Sequence, residues 1–235
     1  MGGTGRMGGG LALRLVRNHA VIIGSRSSDK AGKIAEELTA IARGFYKDKM
    51  QGDIKGTSNA DAIKQSEIVI VTIPPEFTIY VMREFRECFR PEQIVVSTVV
   101  SMKKRKGIFL YTPLSGKYSA GEETKSAAEL TQEIIKPTRV VSAFHTIPAA
   151  YLSSLDEVLN VDVFVAGNDD SAISEVSKLV CDIPNFRPLK VGPLQNSRLI
   201  ESMVPLLLNA ATLNNLEEPS IRVVPWIPTS YGACR

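Results

Sequence analysis

The sequence predicts an α/β fold in which a parallel sheet is covered by helices on both faces. Three observations lead to this prediction: a glycine-rich loop at the start of the chain, short apolar runs rich in β-branched residues, and helical segments that alternate with those runs. Alternating strands and helices form crossover units, which place the strands parallel. The 235 residues suffice to bury a sizeable core, and 44% hydrophobic with 23% charged residues is the composition of a folded domain.

Each element is predicted from its local pattern. Strands are short, apolar and closed by glycine or proline, as in HAVIIGSR and EIVIVTIPP. The predicted strands cover residues 20–23, about 54, 68–72, 94–97, 139–142, 162–166 and 189–191. Helices are predicted from apolar spacing and good helix formers, with Ser28 or Asp29 as the cap of the second one. The predicted helices cover residues 11–16, about 29–42, 59–65, 78–89, 125–135, 171–180 and 197–213.

The opening stretch MGGTGRMGGG contains a phosphate-binding pattern. Gly3, Gly5 and Gly8 spell GxGxxG, in which the first glycine allows a tight turn, the second lets a pyrophosphate approach and the third lets helix and strand pack closely. The following helix N-terminus supplies free N–H groups and a partial positive charge. The chain is therefore expected to have a Rossmann-type dinucleotide-binding sheet.

The residues after the next strand predict the cofactor. Dinucleotide sites that take NAD place a carboxylate there, whereas this chain has Gly24, Ser25 and Arg26, with Lys30 one turn into the helix. A hydroxyl and a guanidinium would hold a 2′-phosphate, which favours NADP(H). The alternative is that Arg26 and Lys30 are solvated charges at a helix start.

The strand that should precede the glycine loop is missing from the sequence. That strand is the central one of such a sheet, and its five or six apolar side chains would contribute about 8 to 15 kcal/mol gross. This amount rivals the net stability of a domain. We therefore expect that some six residues precede Met1 in the working protein and that Met1 is a misassigned start.

Later stretches of the chain identify a family. The segments VTIPPE at 71–76, SAFHTIPAAYLSSLD at 142–156 and FRPLKVGPLQNSRLIES at 186–202, together with the glycine loop and GSRSSDKA, resemble the NADPH-dependent F420 reductases over nearly the full length. The resemblance implies an enzyme that transfers hydride directly between C4 of NADP(H) and C5 of the deazaflavin coenzyme F420. It also implies a Rossmann domain, placed at 1–143, a smaller C-terminal domain, placed at 144–235, that completes the deazaflavin site, and a homodimer.

The resemblance also assigns site residues. It implies NADP contacts in the loop, at the 2′-phosphate and beside the nicotinamide, made by Gly3, Thr4, Gly5, Arg6, Met7, Gly8, Ser25, Arg26, Lys30, Ile73 and Pro74. The deazaflavin side would involve His145, Thr146, Ile147, Pro148 and Ser197. No catalytic side chain and no metal is expected, because cofactor-to-cofactor hydride transfer needs neither.

Several residues have more than one interpretation. His145 is either a hydrogen-bonded histidine at a strand end or, in the context of HTIPAA, a partner of the deazaflavin's polar edge. Arg187, Lys190 and Arg198 could receive the anionic tail of coenzyme F420 or remain surface charges. The basic run at 103–106 is expected to be a solvated loop beside the cofactor mouth, and the apolar residues of the last helix belong to the core or to an interface.

Composition limits the partners and the location. A net charge of +3 gives no electrostatic case for a nucleic-acid binder. No apolar stretch reaches the length of a membrane span, and no signal peptide is recognised. The three cysteines are odd in number and form no CxxC, which predicts neither a disulfide nor a zinc site and favours the cytoplasm.

Two other functions remain open from the sequence. One is another NADP-dependent reductase acting on a small imine, ketone or metal chelate, similar in its first half to pyrroline-carboxylate reductases. The other is a non-enzymatic redox sensor that binds NADPH.

Overall fold

The computed structural model describes residues 1–114 and 124–224. The strands form three sheets, two of which lie side by side and carry the α/β fold. A two-stranded parallel sheet has the order β1-β2, a five-stranded sheet has the order β3-β4-β7-β8-β9, and β5 and β6 form an antiparallel hairpin. The strands are β1 Val21–Ser25, β2 Ile54–Ser58, β3 Ile68–Val71, β4 Ile94–Ser97, β5 Met102–Arg105, β6 Ile108–Tyr111, β7 Arg139–Ser142, β8 Val161–Gly167 and β9 Phe186–Lys190.

Eight α-helices occur in the described ranges, and they cover both faces of the sheets. They are α1 Arg6–Leu15, α2 Ser28–Tyr46, α3 Asn59–Gln65, α4 Pro75–Glu84, α5 Ala127–Ile134, α6 Ala149–Ser153, α7 Asp170–Cys181 and α8 Ser197–Asn214. Neighbouring strands β3, β4 and β7 are parallel, whereas β8 runs antiparallel to β7. The predicted α/β class with a parallel sheet is confirmed.

Some boundaries differ from the prediction. Helix α1 begins at Arg6, although its three consecutive glycines have low helix propensity, because those glycines allow close packing. Helix α4 begins at Pro75, a residue whose fixed φ suits the first helical position. The side chain of Ser27, rather than Ser28 or Asp29, caps α2 by accepting a bond from the backbone N–H of Lys30 at 3.2 Å.

The basic run expected to be a solvated loop is part of the β5–β6 hairpin. The Asn209 side chain on α8 bonds both the N–H of Phe109, at 2.7 Å, and its carbonyl, at 2.8 Å. Lys104 places its ammonium 4.9 Å from the centre of the Phe109 ring. These contacts hold the hairpin in place. Its strand β5 was not predicted, because charged side chains are not typical of a strand.

The prediction that no cysteine forms a disulfide is wrong for Cys181, which is disulfide-bonded, whereas Cys88 is a free thiol. Wide spacing and an odd count do not report which cysteines a fold brings together. Within the described residues, no helix is both long and apolar enough to cross a bilayer.

Candidate functional site

The candidate site lies at the carboxyl ends of the parallel strands, where ligands of open α/β sheets bind. The glycine loop emerges beside β3: the Thr72 hydroxyl at the end of that strand donates to the carbonyls of Met1, at 3.0 Å, and Gly2, at 3.1 Å. Gly2 has φ +73°, a conformation that favours glycine. The turn therefore places the start of α1 at the edge of the sheet.

The three glycines of the motif differ in their surroundings. A Cβ on Gly3 would lie 2.8 Å from Cγ2 of Ile23, and one on Gly8 would lie 2.7 Å from Cα of Gly3 and 2.8 Å from Oγ1 of Thr72. A Cβ on Gly5 would meet only the Gly2 carbonyl, at 3.4 Å, among the described residues. Gly3 and Gly8 are thus needed for packing, whereas Gly5 leaves an open approach for a ligand.

The N-terminus of α1 can bind an anion. Gly5 is the N-cap, no side chain caps the helix and no acidic residue lies in its first turn. The first N–H groups of a helix lack partners within the helix and carry partial positive charge. Arg6 is exposed beside them, while Thr4 and Met7 are half-buried, so a pyrophosphate can reach this turn.

The predicted 2′-phosphate residues lie together at the end of β1. The Ser25 side chain is buried and its Oγ accepts a weak bond from the Ser27 N–H at 3.4 Å. Arg26 and Lys30 are exposed at the start of α2. A hydroxyl and two cations therefore surround the place where a ribose phosphate would lie.

Asn59 is a candidate that sequence reasoning missed. It begins α3, is buried, and its Oδ1 makes no hydrogen bond within the described residues. A Cβ on Gly24 would lie 2.9 Å from this oxygen, so the amide lies against the end of β1 beside Ser25. Buried polar atoms are normally paired, which makes Asn59 a candidate ligand contact. Its only sequence signal is its place after a predicted strand.

The nicotinamide side is formed where β3 passes into α4. Ile73 is half-buried, and Pro74, the N-cap of α4, is exposed. Phe77 and Tyr80 on α4 are also exposed, at 54% and 69%. An exposed apolar surface therefore follows β3 beside the glycine loop.

The segment His145–Pro148 forms the turn between β7 and α6. His145 is only 7% exposed, yet neither ring nitrogen has a hydrogen-bond partner within the described residues. Burial lowers the pKa of His145 to about 3, which keeps the imidazole neutral. The described residues give no partner for the alternative interpretation of His145 as a hydrogen-bonded histidine, and the deazaflavin contact stays a prediction.

The other residues of the turn are held in place by the backbone. The Ile147 N–H donates to the Phe144 carbonyl at 3.3 Å, and the Thr146 carbonyl accepts from the Ser220 hydroxyl at 2.9 Å. Pro148 is the N-cap of α6. This segment is therefore a fixed wall of the site.

Three buried serine hydroxyls also lack partners within the described residues. Ser97 and Ser142 end β4 and β7 and are register partners, and Ser197 begins α8. Two of them were not predicted, although each is the polar residue that closes a buried apolar strand. The carboxyl ends of β4 and β7 thus present unpaired polar atoms, as a cofactor site requires.

Arg14, which sequence reasoning also missed, links α1 to α6. Its guanidinium, on α1, donates to the carbonyls of Tyr151 and Ser154 at 2.6 Å each, and to that of Leu152 at 3.1 Å. A Cβ on Gly10 would lie 2.6 Å from Cβ of Leu152, so α1 and α6 are in direct contact. Helix α1 is therefore bonded directly to the helix that follows the His145–Pro148 turn.

A buried carboxylate fixes the start of α8. Glu201 accepts from the N–H groups of Ala127, at 3.2 Å, and Ala128, at 3.4 Å, and from the Tyr111 hydroxyl at 3.2 Å. Burial raises the pKa of Glu201 to about 7, although the bonds from α5 oppose this shift. One turn earlier, Arg198 forms a two-point ion pair with Glu129.

Two of the three basic residues considered for an anionic tail are engaged elsewhere. Arg187 bonds both carboxylate oxygens of the buried Asp162, each at 2.7 Å. Arg198 is paired with Glu129. Lys190, at the end of β9, is exposed.

Comparison with known proteins agrees with this geometry. Residues 1–101 match the family model described as NADP oxidoreductase, coenzyme F420-dependent. The F420-dependent NADP reductase of Methanocaldococcus jannaschii is 35% identical over 214 residues, which cover 88% of this chain and 89% of that protein. The F420-dependent NADP reductase of Methanothermobacter thermautotrophicus is 31% identical, over 95% of this chain and 92% of that protein.

Solved structures show the same fold. A putative F420-dependent NADP reductase from an Arthrobacter species superposes with a TM-score of 0.71 at 18% identity, covering 93% of this chain and 95% of that one. A pyrroline-5-carboxylate reductase from Coxiella burnetii superposes with a TM-score of 0.52 at 14% identity, covering 92% of this chain and 70% of that one. At these identities the likeness concerns the fold alone.

Proposed function

The chain belongs to the coenzyme F420-dependent NADP oxidoreductase family, and we propose that its described site performs the hydride transfer between NADP(H) and F420. The enzyme is an oxidoreductase that uses both cofactors as substrates. The observation that carries the proposal is that Arg14 links two different features: an uncapped helix N-terminus at α1, and buried polar atoms near α6 that have no hydrogen-bond partner among the described residues.

NADP(H) is proposed to bind along the glycine loop. Its pyrophosphate would meet the N–H groups that follow Gly5, and its 2′-phosphate would meet Ser25, Arg26 and Lys30. The absence of a carboxylate at the end of β1 removes the repulsion that would disfavour that phosphate. The remaining proposed contacts are Gly3, Thr4, Arg6, Met7, Gly8, Ile73 and Pro74.

The deazaflavin is proposed to lie against the turn between β7 and α6. Supporting this assignment, His145 and Ser197 carry buried polar atoms that make no hydrogen bond within the described residues. A polar ring edge would satisfy these atoms, which are costly to leave unpaired. Thr146, Ile147 and Pro148 would form the adjoining wall, with Ser142 as a further contact.

The chain's contribution to the reaction is orientation and exclusion of water. When both are bound, NADPH would supply the hydride and F420 would accept it. Two rings that must approach closely need rigid supports, which the α1–α6 contact provides. His145 stays neutral because its pKa lies far below 7, so it can donate one hydrogen bond without competing as a proton source.

The function is tested by absorbance. Purified enzyme with NADPH and oxidised F420 should bleach the visible band of the deazaflavin, and NADH should support a much lower rate. The variant His145→Phe should slow the reaction by about 10-fold or more through a higher KM for F420, since one or two buried hydrogen bonds are lost. Its KM for NADPH should not change. An equal rise in both KM values would contradict the assignment of His145 to the deazaflavin.

The homodimer is proposed to form through α8. Leu199, Leu206 and Leu213 recur at a spacing of seven residues and are 65–68% exposed, so they form an apolar stripe along one side of the helix. Burial of such a stripe against a second copy would remove it from water. The variant Leu206→Glu should convert a dimer to a monomer in sedimentation analysis, and an unchanged mass would reject this interface.

We also propose a cytoplasmic location and a two-part organisation. Both substrates are multiply charged anions that do not cross a bilayer unaided, so the enzyme should lie where they are made. Residues 1–143 would carry the NADP site and residues 144–235 would complete the deazaflavin site. Fractionation of cells with a cytoplasmic marker enzyme tests the location.

A further inference from the structure

After α8, the chain returns to the His145–Pro148 turn. Helix α8 ends at Asn214, and residues 216–218 are exposed. Residues 219–222 are half-buried, and we call residues 219–224 the C-terminal strap. The C-terminal strap bonds the start of β8 and β9 as well as the His145–Pro148 turn. It therefore connects the second half of the sheet to the proposed deazaflavin side of the site.

The C-terminal strap is anchored on the first residues of β8. Among the described residues, β7 pairs with the last two residues of β8 alone, which leaves the beginning of β8 with a free edge. There the Asp162 N–H donates to the Ile221 carbonyl at 3.0 Å, and the Val223 N–H donates to Oδ2 of Asp162 at 2.6 Å. Asp162 is fully buried, and its ion-pair partner Arg187 also donates to the Val223 carbonyl at 2.8 Å. Because a buried carboxylate is costly to leave without its partners, these bonds fix the C-terminal strap.

The C-terminal strap also holds the turn beside the candidate site. The Ser220 hydroxyl donates to the Thr146 carbonyl at 2.9 Å. Thr146 is buried, and buried carbonyl groups need a hydrogen-bond partner. Thr146 follows His145 directly, whose ring nitrogens have no partner within the described residues. The bond from Ser220 therefore fixes the peptide next to the imidazole.

The turn needs such support because it begins with a strained residue. Phe144 has φ +66°, a left-handed conformation that a bulky residue rarely adopts. Its side chain is buried in the core. A conformation of this kind persists only where the surrounding contacts hold it. Arg14 holds the chain after the turn through α6, and Ser220 holds the turn itself.

We propose that the C-terminal strap holds the His145–Pro148 turn in the conformation that receives the deazaflavin, with Ser220 as the positioning residue. This inference rests on the proposed function, because it takes the deazaflavin to lie against that turn. Ser220 would act through the Thr146 peptide rather than by contact with the reacting atoms. Loss of its hydroxyl should therefore weaken the binding of F420 and leave the NADP side of the site unchanged.

The test compares three variants of the full chain in steady-state kinetics. Ser220→Ala should raise KM for F420 by about 5-fold or more, the effect of one lost hydrogen bond, and should keep KM for NADPH within about 2-fold. Ser220→Thr retains a hydroxyl and should restore KM for F420. The matched control is Ser66→Ala, which also removes a hydroxyl bond, to the Ala62 carbonyl at 2.7 Å. Ser66 lies just before β3, at the opposite end of that strand from the site, so both KM values should be unchanged.

Hydrogen exchange reports on the turn independently of catalysis. The Ile147 N–H donates to the Phe144 carbonyl within the turn, at 3.3 Å. In Ser220→Ala this amide should exchange about 5-fold or more faster than in the wild type, whereas in Ser66→Ala its exchange should not change. Unchanged exchange in Ser220→Ala would overturn the inference, because Ser220 would then not hold the turn.

The kinetic results separate this inference from the proposed function. If His145→Phe raises KM for F420 and Ser220→Ala does not, the inference is overturned and the proposed function stands. If neither variant changes KM for F420, the deazaflavin does not lie against the turn, and both are rejected. An equal rise of both KM values in Ser220→Ala would also overturn the inference, since the effect would then be a general loss of structure.

Discussion

The glycine loop allows a prediction in which neighbouring substitutions have different effects. Gly5→Ala adds a methyl group whose nearest described neighbour is the Gly2 carbonyl at 3.4 Å, and the φ of Gly5 is an ordinary −87°. The free energy of unfolding should therefore change by less than about 1 kcal/mol. The same methyl group lies where the pyrophosphate approaches. Loss of one charged hydrogen bond, worth about 1.5–3 kcal/mol, should raise the Kd for NADPH by about 10- to 150-fold.

Gly8→Ala should lower the stability of the protein, in contrast to Gly5→Ala. Its methyl group would lie 2.7 Å from Cα of Gly3 and 2.9 Å from the Gly2 carbonyl, and backbone atoms cannot rotate away. Overpacking of this kind costs about 1–3 kcal/mol, which lowers Tm by about 3–10 °C. A matched control is Gly44→Ala in α2, where a Cβ would have no described atom within 4 Å beyond the helix's own backbone. Alanine there should stabilise the protein by about 0.5–1 kcal/mol without affecting NADPH binding.

The assay is fluorescence titration with NADPH combined with thermal melting for all three variants. If Gly5→Ala melts like the wild type and binds NADPH with an unchanged Kd, the loop does not hold the pyrophosphate. If Gly8→Ala melts like the wild type, the close contacts at Gly8 do not constrain the loop.

Three further predictions follow from single residues. Arg26→Ala should lower kcat/KM for NADPH by about 10-fold or more and leave kcat/KM for NADH within about 2-fold. The reason is that only NADPH carries the 2′-phosphate. Equal losses for both cofactors would contradict this role. Arg14→Met should lower Tm by several degrees, at about 2–4 °C per kcal/mol lost. It should also raise both KM values, since α1 and α6 would separate. Unchanged KM values in steady-state kinetics would refute the link between α1 and α6. Glu201 has a pKa raised from 4.5 to about 7, so its stabilising protonated form is complete below about pH 4.5 and is lost as pH rises through 7. Relative to Glu201→Gln, the wild type should lose on the order of 2–3 kcal/mol of unfolding free energy between pH 4.5 and 8 in denaturant titrations, and parallel pH profiles would show that Glu201 does not titrate there.

Sequence patterns predicted the elements that depend on residues close together in the chain. The spacing of Gly3, Gly5 and Gly8 predicted the turn, and closed apolar runs predicted the strands at 94–97 and 139–142, which the structure has at the same residues. Helix α1 was predicted to start at residue 11, where apolar spacing and good helix formers follow the glycine loop. Its start at Arg6 reflects tertiary packing, which overrides propensity where a side chain at Gly10 would overlap Leu152.

Contacts between distant segments could not be predicted from one sequence. Arg14 bonds carbonyls more than 130 residues away, and Glu201 bonds the first turn of α5 more than 70 residues away. The hairpin strand Met102–Arg105 has an exposed, charged pattern, and its partner strand is bonded by Asn209 from α8, about 100 residues away. Asn59 became a candidate ligand contact only from the structure, which shows that its Oδ1 is buried without a partner among the described residues.

The central claim is that one site of this chain holds both redox rings close enough for direct hydride transfer. NADPH carrying deuterium at the transferable C4 position should be incubated with the enzyme and oxidised F420 in ordinary water, and the reduced F420 analysed by mass spectrometry. The account predicts that the deuterium appears at C5 of the product without loss to solvent. Product that carries solvent hydrogen at C5 instead would contradict it.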